Sequence, residues 1–532
     1  MNYDTNLGEY TRLVQFVRCH LWEGSCANTL CPAAMQDGAT RLLQGHLAQK
    51  DGHLSPTERR VFQNAYDHLT SRDPSKTWTS GQWMTERTGG SDVSQTETVA
   101  TYDPHLDQSN TPLASADEGI PLGPWSISGF KWFSSATDSQ MTILLARTQP
   151  GKGVSAFFAP MRRYSPTIVS PIGQRGGTEL NGVTISRLKN KFGTQSLPTA
   201  ELELQDMRGW LIGKEGQGIH EISTILNITR VHTTVSSVGY LGRSLAVAKA
   251  FALVREAGVG KGRRLPLSTH PLHMRTLANI TADYHAMMLL VFYTLYILGL
   301  EERGEAKSGA TSPISNLAPP PHLLGPLLRI LSSLHKSYTC ENVVPAVFAC
   351  MESLGGVGYL VNTESEHLNL ARIFRDACVG AIWEGTTDVL ASDTIRALKH
   401  PVSGKLCLDA VDWVVKRLPV LPTGWQGIQT TLLQDWEYLR GRIERFSHAE
   451  LLPDARGMTF RIAEVLIGVL LLVDVASRPG REIEAMALRF LYKKRFLRGI
   501  DMTKLEGADA LELDQAIVYG MGGVAAAVGA KL

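Results

Sequence analysis

The period of the apolar residues changes twice along this chain, and that change limits it to one broad architecture. In the middle the period is two: Trp125-Ser126-Ile127-Ser128-Gly129-Phe130 alternates, and Ala200-Glu201-Leu202-Glu203-Leu204 alternates again. Residues 141–146 and 154–158 are short apolar runs bounded by Gly and Pro. Such runs read as strands of a mostly antiparallel sheet or barrel. Residues 102–124, rich in Pro, Asp, Ser and Gly, read as a long exposed loop. On either side the period is three to four. Leu13, Phe16, Val17 and Leu21 keep it near the start, and it returns after Gly213-Lys214-Glu215-Gly216-Gln217-Gly218. It predicts helices over 219–257, 272–300, 322–355 and 388–399, with a last helical block after Pro401. The fold class is α+β. Four segments follow: N-terminal helices over 1–77, a middle β domain over 78–212, a helical bundle over 213–400 and a helical extension over 401–532.

Bulk properties exclude several functions. A net charge of +2 on 532 residues gives no cationic footprint for nucleic acid. Lys493-Lys494-Arg495 reads as the solvated face of a helix. Seven cysteines make no disulfide framework and fit a reducing compartment. Cys26 and Cys31 have a spacing zinc accepts, but no second pair answers them, so no metal site is expected. The apolar runs 285–300 and 465–475 are too short or too interrupted to span a bilayer and read as buried helices, so no membrane partner is expected. No signal peptide is visible around Asp4 and Glu9. Ala530-Lys531-Leu532 is one small-residue change from the S-K-L address, so a peroxisomal location is expected, with the cytoplasm as alternative.

Three stretches carry chemistry. Met84-Thr85-Glu86-Arg87-Thr88-Gly89-Gly90-Ser91-Asp92 offers backbone N–H groups to an anion and a hydroxyl to a flat ring, or else a Gly-Gly turn with Ser/Asp capping. Gly129-Phe130-Lys131-Trp132-Phe133-Ser134-Ser135 ends a strand with aromatics and hydroxyls that suit a flavin ring; core packing is the commoner role of such rings. Ala381-Ile382-Trp383-Glu384-Gly385-Thr386-Thr387-Asp388 sets one carboxylate between an aromatic and a glycine, and reads equally as a helix entrance capped by Thr386 or Thr387.

Taken in order, Met-Thr-Glu-x-x-Gly-Gly-Ser-Asp, Lys-Trp-Phe-x-Ser, Gly-Trp-Leu-x-Gly-x-Glu-Gly-x-Gly, Leu-Gly-Gly-x-Gly-Tyr and Ile-Trp-Glu-Gly-Thr resemble the acyl-CoA dehydrogenase superfamily. The Lys131-Trp132-Phe133 and Trp383-Glu384-Gly385 forms favour its AidB-like branch. The similarity covers about residues 22 to 400.

The resemblance implies N-terminal helices, a middle β domain and a C-terminal helical bundle, with FAD as cofactor. It places Met84, Thr85, Gly90 and Ser91 at the flavin ring and pyrophosphate, and Phe133, Ser134 and Ser135 at the ring's other edge. Trp383 excludes water from it, Thr386 and Asp388 lie toward the adenosine side, and Gly355 and Gly356 let backbone pass close to FAD. Glu384 matches the family's base, which removes an α-proton from an acyl-CoA while hydride leaves the β-carbon. Arg230, after Thr229 at the start of a bundle helix, is the candidate substrate contact or a structural ion pair. A homo-oligomer, tetramer or dimer, is implied, with oxygen or an electron-transfer protein as acceptor.

Two departures stand out. Gly260-Lys261-Gly262-Arg263-Arg264 replaces the family's Arg-x-x-Phe-Gly and reads as a solvated loop, and the segment before Met84 is short for the family. The leading expectation is FAD-dependent α,β-dehydrogenation of an acyl-CoA, in a peroxisomal secondary-metabolite pathway. The alternatives are a flavin monooxygenase or oxidase of the same superfamily, or an AidB-like DNA-associated protein of the alkylation response.

Overall fold

The computed structural model describes residues 3, 7–50, 52–107, 120–149, 151–303, 312–363, 369–421, 425–497 and 509–520. The Ala530-Lys531-Leu532 tripeptide lies outside them. The chain divides into two compact units, one mainly Cys26–His232, the other Asp4–Ser25 with Thr233–Leu532. Helix α1 (Thr11–Glu23) belongs to the second; α2 (Leu30–Ala48) and α3 (Pro56–Thr70) belong to the first.

In the first unit, α3 starts where its sequence says it should. Ser55 accepts from the Glu58 N–H at 3.2 Å, Glu58 accepts from the Ser55 N–H at 2.8 Å, and Pro56 takes the first turn. Next come β1 (Ser80–Trp83), β2 (Val99–Tyr102), β3 (Trp125–Ser135), β4 (Met141–Arg147), β5 (Val154–Pro160), β6 (Arg162–Val169), β7 (Arg175–Leu180), β8 (Val183–Leu188) and β9 (Thr199–Ile212). The sheet runs β1-β4-β2-β3-β9-β5, β5 pairs back onto β4, and β8 adds to β9. The barrel reading therefore holds. Pairing is antiparallel except β1 and β2 against β4, and β6 and β7 form a separate hairpin.

β4 and β5 are apolar without alternation because both their faces are covered. Leu144, Ala146 and Phe157 pack inside with Trp83, Ile127 and Leu202. Ile143, Leu145 and Phe158 pack outside with Leu43 of α2 and Phe62 of α3. The 102–124 stretch departs from the exposed loop expected of it. Ile120 and Leu122 are buried, and Arg208 Nε donates to the Gly123 carbonyl at 2.7 Å; residues 108–119 lie outside the described ones.

The helix α4 (Gly218–Val254) runs from the first unit into the second. The second unit continues with a small hairpin, β10 (Glu256–Gly258) and β11 (Arg264–Pro266), then α5 (Pro271–Arg303), α6 (Pro321–Ser353), α7 (Leu370–Cys378) and α8 (Thr387–Leu398). The hairpin corrects the loop expected around Arg263: Val259 and Arg263 close it, and the cations stay exposed. Helices α9 (Gly404–Val415), α10 (Gln426–Arg445), α11 (His448–Leu451), α12 (Ala455–Ser477), α13 (Arg481–Lys493) and α14 (Ala510–Tyr519) form the extension. α12 is apolar nearly all round because α5, α6, α8, α10 and α13 surround it.

α4 and α5 are each long and apolar enough to cross a membrane, which corrects the expectation that the 285–300 run is too short. In this protein 50% and 67% of their apolar windows are buried inside the fold, as in core helices.

Candidate active site

In the first unit the candidate residues lie on two segments tied together by a buried charge pair. Met84 is buried and Thr85 half-buried, and the Thr85 carbonyl accepts from the Trp132 N–H at 2.9 Å. Glu86 is buried and accepts from Lys131 Nζ at 2.5 Å, the Glu97 N–H at 2.6 Å and the Thr98 hydroxyl at 2.6 Å. Lys131, 0% exposed, also donates to the Leu145 carbonyl at 2.8 Å. Burial works to raise the Glu86 carboxyl, and the Lys131 ammonium with the other donors outweighs it, so it lies below its ordinary range. Burial lowers Lys131 in turn, against the pull of Glu86.

The pair fixes where β3 presents its end. Phe133 is 48% exposed. Ser134 is fully buried, and its hydroxyl has no partner among the described residues. Ser135 shares a 2.9 Å hydrogen bond with Thr199. Trp132 is engaged elsewhere, with the Lys189 ammonium 3.0 Å from its ring centre and the Arg87 guanidinium 4.8 Å away. In the Gly-Gly-Ser-Asp turn, Gly90 and Ser91 are exposed, while Asp92 caps a short turn by accepting from the Ser94 N–H at 2.9 Å. The bland reading holds for Asp92.

In the second unit the candidate residues lie on the turn between α7 and α8. A short 3-10 turn ends at Ala381, and the Trp383 N–H returns to the Val379 carbonyl at 3.1 Å. Glu384 follows at φ +56° and Gly385 at φ +97°. A left-handed non-glycine residue is uncommon and collects at functional sites. Glycine suits Gly385, because a side chain at this φ is strained and its Cβ would also press on Leu390 at 3.0 Å.

Thr386 is the N-cap of α8, yet its hydroxyl makes no capping bond; Thr387 instead donates to Glu341 at 3.1 Å. Asp388 is exposed and paired with Arg456 of α12 at 2.7 Å, and Arg456 reaches Glu341 at 3.6 Å. The Trp383 indole N–H is buried with no partner among the described residues. A Cβ on Gly355 or Gly356 would meet nothing within 4 Å, so that backbone is open to an outside group. Arg230 is half-buried well inside α4, which corrects its expected place at a helix start.

Sequence reasoning missed the work of three residues: Glu86, Lys131 and Lys336, whose Nζ donates to the Gly385 carbonyl at 2.6 Å. For Lys131 the available signal was a lone lysine among Phe130, Trp132 and Phe133. In the first unit an exposed phenyl ring and a buried unanswered hydroxyl, and in the second a buried unanswered indole N–H and an unused cap hydroxyl, each suit a flat cofactor with a polar edge.

The sequence matches the acyl-CoA dehydrogenase middle-domain model over residues 81–207 and the C-terminal-domain model over 216–399. It is 35% identical over 493 residues to acyl-CoA dehydrogenase family member 11 of Caenorhabditis elegans, covering 90% of this chain and 70% of that one. It is 30% identical over 373 residues to the putative acyl-CoA dehydrogenase AidB of Escherichia coli, covering 70% of this chain and 58% of that one. A solved structure, Caenorhabditis elegans ACDH-11 in complex with C11-CoA, is similar with a TM-score of 0.75 at 29% identity, over 98% of this chain and 80% of that one. With both domain models in order and that likeness along most of its length, the chain belongs to the acyl-CoA dehydrogenase superfamily, in its AidB-like branch, and is an oxidoreductase of that type.

Proposed function

We propose that this protein desaturates an acyl-CoA thioester between its α- and β-carbons, with Glu384 as the base and FAD as cofactor. The observation that carries the reading is the backbone of Glu384. A carboxylate held at φ +56°, next to a glycine at φ +97° where a side chain would be strained, is one whose direction matters more than its local stability. The C11-CoA complex of ACDH-11 supports the substrate class.

An α C–H beside a thioester is only weakly acidic. Its removal needs a carboxylate within hydrogen-bond reach and donors where charge builds on the thioester oxygen. Glu384 is half-buried, so it is partly freed from water while still reachable. Trp383, its neighbour in the chain and also half-buried, helps to exclude water. When bound, FAD supplies the acceptor for the hydride that leaves the β-carbon.

On the β side, Met84, Thr85, Gly90, Ser91, Phe133, Ser134 and Ser135 serve the cofactor, with the buried Ser134 hydroxyl as the donor still lacking a partner. On the helical side Trp383 and Thr386 serve it, and Gly355 and Gly356 offer open backbone. Asp388 takes part through Arg456, which already holds it. The exposed run Val357, Tyr359, Leu360 and Val361 is proposed as a contact between copies of the chain. Peroxisomal import through Ala530-Lys531-Leu532 is proposed as well, and imaging a fluorescent fusion with and without the tripeptide tests it.

The protein as purified is expected to be yellow and to bleach when thioesters of graded chain length are added without oxygen. A yellow protein that no thioester bleaches shifts the reading to a monooxygenase, and a colourless one removes the flavin altogether.

A further inference from the structure

Lys336 lies in the buried middle of α6 and is 0% exposed. Its Nζ donates at 2.6 Å to the carbonyl of Gly385, the second of two successive residues at positive φ. A non-glycine residue in the left-handed region costs about 1 kcal/mol or more, so surrounding structure has to hold Glu384 there. Next to the pair, the Trp383 N–H closes on the Val379 carbonyl and the Thr387 hydroxyl donates to Glu341. Between them, the ammonium of Lys336 reaches the turn. Away from water a charge-assisted bond of this kind is strong, whereas burying an ammonium merely to fill space is costly.

We propose that Lys336 is a positioning residue for the reaction: it holds the Glu384–Gly385 turn in its left-handed form and so aims the Glu384 carboxylate at the substrate α-carbon. The inference rests on the reading of Glu384 as the base. α8 does not depend on Lys336 for its seat, because Arg329 and Ser333 of α6 hold Asp393 at 2.7 Å each. Loss of the ammonium therefore loosens the turn and leaves the helix after it in place.

The test compares flavin-loaded wild type with Lys336→Met, of similar volume, and with Glu384→Gln. Three quantities are measured: amide hydrogen exchange over residues 381–388, affinity for a non-reducible acyl-CoA analogue by its spectral shift, and the rate of flavin reduction by acyl-CoA. In Lys336→Met, exchange over 381–388 is expected to rise at least about tenfold, with α6 still protected and analogue affinity within about threefold of wild type. The reduction rate is expected to fall about a hundredfold, the scale of an ångström's misplacement. Unchanged exchange, or a reduction rate within about threefold of wild type, overturns the proposal. Should Lys336→Met not fold, Lys336→Gln is judged by the same limits, since its amide stops about one bond length short of the carbonyl. If Glu384→Gln reduces flavin normally, the base reading fails on its own account, while the exchange measurement still decides whether Lys336 holds the turn.

Discussion

Lys131 and Glu86 are worth removing one at a time. Glu86 accepts four kinds of donor contact in a dry place, and Lys131 neutralises it. Lys131→Met leaves that carboxylate buried without its cation, at a cost of about 3–5 kcal/mol. Denaturant unfolding of the variant is expected to show this loss, together with weaker retention of flavin, because β3 and the Met84–Ser91 segment lose their tie. Glu86 lies in one motif and Lys131 in another, and nothing in the two stretches tells that they meet. Charge pairing across distant segments is a three-dimensional fact, and the spacing of residues along a chain does not carry it. Glu384 differs from Glu86 and Lys131, because the motif that singles it out, Trp383-Glu384-Gly385, is a run of consecutive residues that the sequence displays directly. What the sequence does not show is its left-handed backbone, at φ +56°.

At the scale of elements, the long helices were readable nearly to their ends. The period predicted 219–257, 272–300 and 322–355, against Gly218–Val254, Pro271–Arg303 and Pro321–Ser353 in the structure. The excess on α4 is the strand β10, where three residues leave the helix to pair with β11. The burial of Ile120 and Leu122 was hidden in a Pro- and Ser-rich stretch, since composition reports average exposure and not individual anchors.

The end of α1 holds a second buried carboxyl. Burial pushes Glu23 up from 4.5 to about 7, against hydrogen bonds from Tyr240 and Ser236. In the unfolded chain it ionises near 4.5, so between about pH 4.5 and 7 the folded protein keeps a proton that the unfolded chain has released. Stability contributed by this group is full below about 4.5 and falls as pH rises toward 7, by on the order of 3 kcal/mol. Glu23→Gln is expected to remove that slope, melting higher than wild type at about pH 8 and equal to it at about pH 4.5. Thermal melts across this range check it; parallel curves for the two proteins would refute it.

For the whole molecule, Tyr359 at 83% exposure sits in a run of apolar side chains that a soluble monomer rarely leaves open. The flavin-loaded protein is expected to elute as a dimer or tetramer, and Leu360→Asp is expected to shift it to smaller species in light scattering. An unchanged mass for the variant would take this run out of the interface. The order of helices, sheet and helices was legible because each block keeps its own period over tens of residues. The closure of the sheet onto β4 was not, because pairing between strands far apart in sequence leaves no local mark.

The most direct measurement is rapid anaerobic mixing of an acyl-CoA with flavin-loaded wild type and Glu384→Gln, following the visible absorbance. The account predicts that wild type loses its colour while the variant binds the same thioester and keeps its colour, slowed by about a thousandfold or more. Equal bleaching in both proteins would contradict it.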